Sequence, residues 1–260
     1  MRKLYKRLVA AIMLLVAALT AAPTTASADV ELLAKDKTNK LVLGDNMDEC
    51  LKGIEESLAA GKSVTYKISV AKGVLYIRIA DFVDFKVEIY DSENKLVKQL
   101  DSVRYELYGD ITLASGSVNL SKGKYKIKIS PKDKKSELNL AGIVAMLKTS
   151  TSATISLNKK YNFAVQKGKT YKYKLTVEDA NAYGVLSYQN LIQSYDPKEF
   201  LPHIQDLEIF NSKGKRIARH DMFNSERLLT LKNGTYTIEF EADKTGILAV
   251  EVSFVNLENQ

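Results

Sequence analysis

The chain has 260 residues, of which 38 are lysine or arginine, 31 are aspartate or glutamate and one is cysteine. A single cysteine excludes an intramolecular disulfide, so the fold must be stabilised by burial of apolar side chains. The formal charge of +7 is concentrated at the start, because Arg2, Lys3, Lys6 and Arg7 stand in a segment without acids. Without those four, 34 of the 38 basic residues remain against 31 acidic ones. That balance argues against a nucleic-acid-binding protein.

Residues 1–28 have the three parts of a secretory signal peptide. A basic start is followed by an apolar run of about a dozen residues and then by the small residues Ala26, Ser27 and Ala28. We expect cleavage after Ala28. The apolar run is shorter than the ~20 residues that span a bilayer, so we expect no stable membrane insertion of the mature chain. The sequence therefore predicts a secreted, extracellular protein, with attachment to the cell surface left open.

One segment, residues 45–62, has a helical pattern near the start of the mature chain. Apolar side chains recur there at intervals of three or four residues, at Met47, Leu51, Ile54 and Leu58. Asp45 suits the N-terminal cap, and Gly61 would follow the last turn. We expect a short helix that packs on the first domain, with Cys50 as a small, half-buried apolar residue.

Three pairs of similar segments occur in the same order in the two halves of the chain. They are YKISVAKGVLYIRIA (66–80) with YNFAVQKGKTYKYKLT (161–176), VEIYDSENKLVK (87–98) with LEIFNSKGKRIA (207–218), and LSKGKYKIKI (120–129) with LKNGTYTIEF (231–240). Such a series indicates a tandem repeat with units of domain size. We predict one domain over residues 29–150 and a second over 151–260, joined through the Ser/Thr-rich run 147–154.

Both halves show the two-residue alternation of half-buried β-strands. Tyr125, Ile127 and Ile129 alternate with lysines in the first half, as the corresponding Tyr236, Ile238 and Phe240 alternate with polar residues in the second. Turn residues separate the strands at Gly214 and at Asn233-Gly234, and Asn94 is the residue of the first half best able to adopt positive φ. The predicted fold class is all-β, with two tandem antiparallel jelly-roll-like β-sandwiches.

The segment YNFAVQKGKTYKYKL (161–175) interleaves tyrosine and lysine and could be mistaken for a nucleic-acid-binding surface. Alternation instead predicts a hairpin with its turn at 166–169 and lysines 172 and 174 in solvent. The residues expected to face the core are Tyr161, Phe163, Val165, Tyr171, Tyr173 and Leu175. Aligning the glycines pairs Tyr171 with Tyr76, which alternation in the first copy places outward. We therefore expect a different turn or a bulge after Gly73 and Gly168.

The order of these elements resembles the bacterial pre-peptidase C-terminal domain. The residues that carry the resemblance are Gly61 to Tyr66, Val87 to Lys95 and Gly123-Lys124-Tyr125 in the first copy, and Tyr161, Asp206 to Lys215 and Gly234-Thr235-Tyr236 in the second. The resemblance implies a jelly-roll-like sandwich of secreted bacterial proteins that accompanies a peptidase or another hydrolase. Some relatives bind collagen or polysaccharide, and some use calcium. No peptidase domain precedes the two copies, which favours a stand-alone binding protein.

By analogy with this family, Asp81, Asp84 and Asp206 are weak candidates for calcium ligands. Their spacing does not match a known oxygen-rich loop, so capping of strands and exposure to solvent is the alternative. We expect no other cofactor.

Catalysis has little support in the sequence, and we expect a protein that is not an enzyme. The two histidines, His203 and His220, lie in no hydrolase or metalloprotease motif. A pair of glycosidase carboxylates would need no motif, and no pair stands out.

Residues 177–203 appear as an insertion of about two dozen residues in the second copy, and loops on a rigid sandwich often bind ligands. The candidate binding residues there are Tyr183, Tyr188, Gln189, Tyr195 and Phe200. In the alternative, these aromatic rings pack the insertion against the sandwich.

We therefore expect a secreted, non-catalytic binding or adhesion module that recognises an extracellular polysaccharide or protein through loops and one sheet face. Two alternatives remain at this point. One is a structural or envelope-associated assembly protein, and the other is an accessory to a secreted hydrolase.

Overall fold

A computed structural model describes residues 30–45, 49–105, 111–156, 160–178, 183–190, 204–220, 226–230, 233–242 and 246–255. The predicted signal peptide, residues 1–28, lies outside these ranges and stays a prediction. Within them the regular structure is entirely β-strand, which confirms the all-β fold class. The chain folds into two compact units, one that ends at Leu147 and one that starts at Lys148. We call them unit 1 and unit 2.

Unit 1 is a sandwich of two sheets. Its strands are β1 (Thr38–Lys40), β2 (Leu43–Gly44), β3 (Leu51–Leu58), β4 (Val64–Val70), β5 (Gly73–Asp81), β6 (Phe85–Tyr90), β7 (Leu96–Asp101), β8 (Val103–Tyr105), β9 (Ile111–Leu120), β10 (Gly123–Pro131) and β11 (Leu138–Leu147). The front sheet has the order β1-β4-β10-β6-β7, and the back sheet has the order β2-β11-β5-β9-β8 with β3 also paired to β11. Tyr66 and Ile127 of the front sheet share one core with Leu75 and Val144 of the back sheet.

Unit 2 also has two sheets, and its front sheet has a corresponding strand order. Its strands are β12 (Ser152–Ile155), β13 (Lys160–Val165), β14 (Thr170–Val177), β15 (Tyr183–Asn190), β16 (Ile204–Asn211), β17 (Arg216–His220), β18 (Glu226–Thr230), β19 (Gly234–Ala242) and β20 (Gly246–Val255). The front sheet has the order β12-β14-β19-β16-β17 and the back sheet β13-β20-β15-β18. The side chains of Tyr171 and Ile238 from the front sheet and of Phe163 from the back sheet form its core. Strand order therefore relates β4 to β14, β5 to β15, β6 to β16 and β10 to β19.

The predicted turn chemistry is confirmed where the front sheet forms its hairpin. Strands β6 and β7 pair in unit 1, and β16 and β17 pair in unit 2. Asn94 has a φ of 62° and Gly214 a φ of 73°, the left-handed conformation that favours glycine and asparagine. In each turn one side-chain oxygen, from Asp91 or Asn211, accepts hydrogen bonds from the backbone amides two and four residues later.

The predicted alignment of 66–80 with 161–176 is wrong by one strand. The segment GKSVTYKISV (61–70) instead corresponds to GKTYKYKLTV (168–177), because β4 and β14 have the same place in their sheets. Their preceding turns also agree, since Gly61 and Gly168 have φ values of 70° and 71°. Tyr76 and Tyr171 are therefore not equivalent positions. The different turn or bulge that we expected after Gly73 and Gly168 followed from the wrong alignment, and the corrected alignment does not require it.

The predicted hairpin over 161–175 is also wrong, although its buried face is right. Strand β13 pairs with β20 of the back sheet, whereas β14 pairs with β12 and β19 of the front sheet. The turn at 166–169 thus carries the chain from one sheet to the other. The side chains of Phe163, Val165, Tyr171, Tyr173 and Leu175 are buried as expected, Tyr161 is half-buried against the same core, and lysines 172 and 174 are exposed.

The helix predicted over 45–62 is wrong. Residues Leu51–Leu58 form β3, which pairs antiparallel with β11 from Leu138↔Leu58 to Ala145↔Leu51. Helical spacing of a few apolar residues is a weak signal, and the apolar strand β11 offers this segment a full set of backbone partners. Cys50, just before β3, is buried rather than half-buried as expected.

Candidate functional site

The residues predicted to bind a ligand are only partly described. Tyr183, Tyr188 and Gln189 belong to β15, which lies between β20 and β18 in the back sheet of unit 2. Because β15 corresponds to β5 of unit 1, the predicted insertion 177–203 includes a strand common to both units. Tyr195 and Phe200 lie outside the described residues, so their role as binding residues stays a prediction.

The calcium candidates occupy unlike positions. Asp81 is 1% exposed, and its two carboxylate oxygens accept hydrogen bonds from the backbone amides of Phe82 (2.6 Å) and Asn139 (2.7 Å). Burial raises the pKa of Asp81 despite these bonds. Asp84 is exposed, and Asp206 lies in β16. Asp81 thus uses both oxygens to hold the end of β5 against the start of β11.

Other candidate groups add no cluster. His220 ends β17, and His203 lies outside the described residues. Within the described ranges, no group of three or more His, Cys, Asp or Glu side chains is placed to hold a metal ion. The same part of the chain has no helix long and apolar enough to cross a membrane.

A different surface concentrates charge, and sequence reasoning did not identify it as a site. Alternation along β4, β6 and β10 turns apolar residues to the core of unit 1 and lysines to the outer side of the front sheet. We call this outer side the lysine face. Its charged residues are the lysines Lys40, Lys67, Lys86, Lys124, Lys126 and Lys128 and the carboxylates Glu88 and Asp101.

Strand register brings these lysines together. Lys67 on β4 stands directly opposite Lys126 on β10, with Lys124 and Lys128 on the two diagonals. Like charges directly opposite in a sheet are destabilising, and diagonal neighbours lie ~7–8 Å apart. Among the described residues, Lys67 and Lys124 form no ion pair. Lys128 stands opposite Glu88 on β6, and Lys126 donates a hydrogen bond to Asn94 Oδ1 at 2.6 Å. The lysines of the face that have no facing carboxylate among the described residues thus include Lys67, Lys124 and Lys126.

The two carboxylates stand at one side of this group. Glu88 lies 2.9 Å from the Lys86 ammonium, and Asp101 lies 3.3 Å from Lys132. Desolvation raises the pKa of Glu88, but hydrogen bonds from Lys86 and Tyr90, together with the charges of Lys86 and Lys128, more than offset it, so the pKa lies below its ordinary value. Glu88 is therefore ionised at neutral pH and offsets the charges of Lys86 beside it and of Lys128 opposite it, which leaves Lys67, Lys124 and Lys126 in excess.

Among the residues that the structure describes, the corresponding face of unit 2 lacks this excess. Where β10 has Lys124, Lys126 and Lys128, β19 has Thr235, Thr237 and Glu239. Lys172 on β14 pairs with Glu239 at 2.8 Å, and Arg216 pairs with Glu208. The same architecture therefore has a balanced outer face in one unit and a basic one in the other. The alternation KYKIKI at 124–129 is the sequence signal for this difference, but only the register places Lys67 beside it.

In sequence, the chain matches no protein-family model and no curated protein. The resemblance to the pre-peptidase C-terminal domain therefore stays a prediction.

Solved structures are similar to the chain at low identity. The PBSX exported protein XepA is 10% identical, with 80% of this chain and 88% of XepA covered at a TM-score of 0.34. A protein from Eubacterium rectale is 13% identical to this chain. The match covers 89% of this chain and 84% of that protein, with a TM-score of 0.34. Another match is to the tandem CBM51 modules of the family 98 glycoside hydrolase Sp3GH98 from Streptococcus pneumoniae, at 11% identity. It covers 76% of this chain and 82% of those modules, with a TM-score of 0.25. These similarities concern the fold alone.

Proposed function

We propose that the protein is an exported, non-catalytic binding protein that recognises an extracellular polymer through the lysine face. The observation that carries the proposal is the group of lysines at the centre of that face, where Lys67 and Lys126 are directly opposed. Opposed like charges weaken a sheet. An anionic ligand that neutralises these lysines would offset this cost, because a ligand that binds the folded state stabilises it. Binding of such a ligand therefore accounts for the arrangement.

The form of the surface favours a polymer over a small molecule. Small ligands are bound in concave sites that bury most of their surface. The lysine face is instead the outer side of a five-stranded sheet, with its charged residues spread over β1, β4, β10, β6 and β7. An extended chain that lies across these strands makes many weak contacts at once, and such contacts together provide useful affinity.

Retention on insoluble polymers tests this function. The purified protein is mixed with insoluble polysaccharides, collagen and isolated cell walls, with calcium or with a chelator, and the bound fraction is measured. We expect retention on at least one polymer with or without calcium, because Asp81 is occupied by backbone amides. We also expect the retained polymer to keep its chain length. Failure to bind any of them contradicts the proposed binding, and shortening of the polymer contradicts the absence of catalysis.

A second candidate, assembly of envelope-associated copies, is favoured by one observation. The edge strand β7 exposes Leu96 (46%) and Val97 (37%), and the corresponding edge strand β17 exposes Ile217 (42%). Exposed apolar edge strands can pair with another chain. Sedimentation velocity over a range of protein concentrations tests this candidate. Association that Val97→Lys abolishes supports it, and a monomer at all concentrations excludes it.

A further inference from the structure

We infer that the polymer is an acidic polysaccharide, that is, a carbohydrate chain with repeated carboxylate, sulfate or phosphate groups. This inference rests on the proposed function and adds the chemical class of the ligand. It also assigns recognition to unit 1 rather than to both units.

The spacing of the cations suits repeated anions. Lys124, Lys126 and Lys128 are two residues apart on β10, which places them about 7 Å apart along the strand. Lys67 is one strand away, at about 5 Å in the hydrogen-bonding direction. A single anion reaches only part of this array, whereas a chain with an anion on successive units can neutralise several lysines together. Charge complementarity therefore favours a polyanion.

Hydroxyl groups lie between the lysines. Thr65 and Ser69 flank Lys67 on β4, opposite Lys128 and Lys124 respectively. Threonine and serine hydroxyls both donate and accept hydrogen bonds, as the hydroxyls of a sugar do. Alternating ammonium and hydroxyl groups match a ligand that alternates anionic groups with hydroxyls, which is the composition of an acidic polysaccharide.

The same positions argue against other polyanions. Proteins that bind single-stranded nucleic acid add aromatic platforms for the bases, and protein interfaces use aromatic and arginine anchors. On the described lysine face the aromatic side chain is Tyr90, half-buried beside Leu96 of the edge strand, and the cations are lysines. Lysine attracts anions without the bidentate geometry of arginine, which suits a ligand recognised by its charge pattern.

Paired polymers and paired variants test the inference. Affinity is measured for the acidic polysaccharides polygalacturonate and chondroitin sulfate, with methyl-esterified polygalacturonate and dextran as neutral counterparts. The variant Lys124→Thr/Lys126→Thr gives β10 the residues that β19 has at these positions. Lys172→Thr/Lys174→Thr removes the same charge from the front sheet of unit 2 and serves as the control.

We expect an acidic polymer to bind, its neutral counterpart to bind at least about tenfold more weakly, and added salt to weaken binding. The β10 variant loses about tenfold in affinity without a fall in unfolding temperature, since it also removes the repulsion between Lys67 and Lys126, and the β14 control keeps wild-type affinity. Equal binding of neutral and acidic polymers, equal losses in both variants, or tighter binding of single-stranded DNA overturns the inference while the proposed function stands. Failure of every polymer, here and in the retention assay, overturns both.

Discussion

Tyr171 and Tyr173 are two residues apart on β14, and both are buried in the core of unit 2. The ring of Tyr173 stacks on Phe163 with centroids 4.0 Å apart, and that of Tyr171 stacks on Phe240 at 5.3 Å. The two hydroxyls differ. Tyr171 accepts a hydrogen bond from the backbone amide of Gln166 at 2.8 Å, whereas the Tyr173 hydroxyl is buried without a partner among the described residues. Burial raises the pKa of both phenols.

Removing each hydroxyl should therefore have opposite results. Tyr171→Phe leaves a backbone amide without its acceptor, and we expect it to lower the free energy of unfolding by about 1 kcal/mol. Tyr173→Phe removes an unsatisfied buried polar group, so we expect no loss or a gain of up to about 1 kcal/mol. Urea unfolding of the two variants measures both values. A larger loss for Tyr173→Phe would show that its hydroxyl is hydrogen-bonded in solution.

Asp81 supports a second prediction at this scale. Because its two oxygens accept backbone hydrogen bonds, Asp81→Asn turns an amide donor toward one of the two N–H groups. We expect a loss of about 1–3 kcal/mol in the free energy of unfolding. Asp84→Asn, at an exposed position three residues later, is the matched control and should change it by less than about 0.5 kcal/mol. Equal effects would mean that Asp81 is not the connection between β5 and β11.

The pH dependence of Asp81 has a definite sign. Its pKa is raised by burial, so the folded protein keeps this proton at pH values where the unfolded chain has lost it. Asp81 thus lowers the stability of the wild-type protein as the pH rises from about 4 through the raised pKa. Asp81→Asn should lack this decline in thermal unfolding measured between pH 3 and pH 7. An unchanged pH profile would contradict the raised pKa.

At the scale of the elements, alternation in the sequence identified segments that form half-buried strands, but it did not identify the strands with which they pair. The alternation of Tyr236, Ile238 and Phe240 identified β19, and the turn at Asn94 was assigned correctly. The alternation along 161–175 also identified its buried side chains. It could not show that β13 and β14 belong to different sheets, because a short turn serves equally well between paired strands and between two layers of a sandwich.

The lysine face shows the same limit. Lys124, Lys126 and Lys128 share one side of a strand by alternation alone. Their neighbour Lys67 is more than fifty residues away in the chain, and only the register of β4 with β10 places it opposite Lys126. The helix predicted over 45–62 was wrong for a related reason, because the pairing of this segment with β11 depends on residues far away in sequence.

Close packing of β11 on β5 yields a prediction for these strands. A Cβ atom at Gly142 would lie 2.5 Å from the Arg78 carbonyl oxygen and 2.8 Å from the Ile79 Cα. Gly142→Ala must therefore shift backbone, and we expect a loss of about 1–3 kcal/mol. Gly123→Ala is the control, because its Cβ would come no closer than 3.4 Å to the ring of Tyr125. Equal thermal unfolding of the two variants would contradict this packing.

At the scale of the whole molecule, the front sheets of the two units have the same strand order and different outer faces. Front-sheet positions that hold lysines on β10 hold threonine or glutamate on β19. Transfer of the lysines should therefore transfer binding. We expect Thr235→Lys/Thr237→Lys to raise the apparent affinity for an acidic polysaccharide at least about twofold by adding a second site. Thr235→Gln/Thr237→Gln, which adds length without charge, should leave affinity unchanged. A gain with glutamine would point to a contribution other than charge.

The most direct test of the lysine face is a map of backbone amide chemical shifts during titration of the protein with polygalacturonate. The account predicts that the largest changes occur on β4 and β10, at Lys67, Lys124, Lys126 and Lys128 and their neighbours, with small changes on β14 and β19. Changes that concentrate on β15, at Tyr183, Tyr188 and Gln189, or spread equally over both units would contradict it.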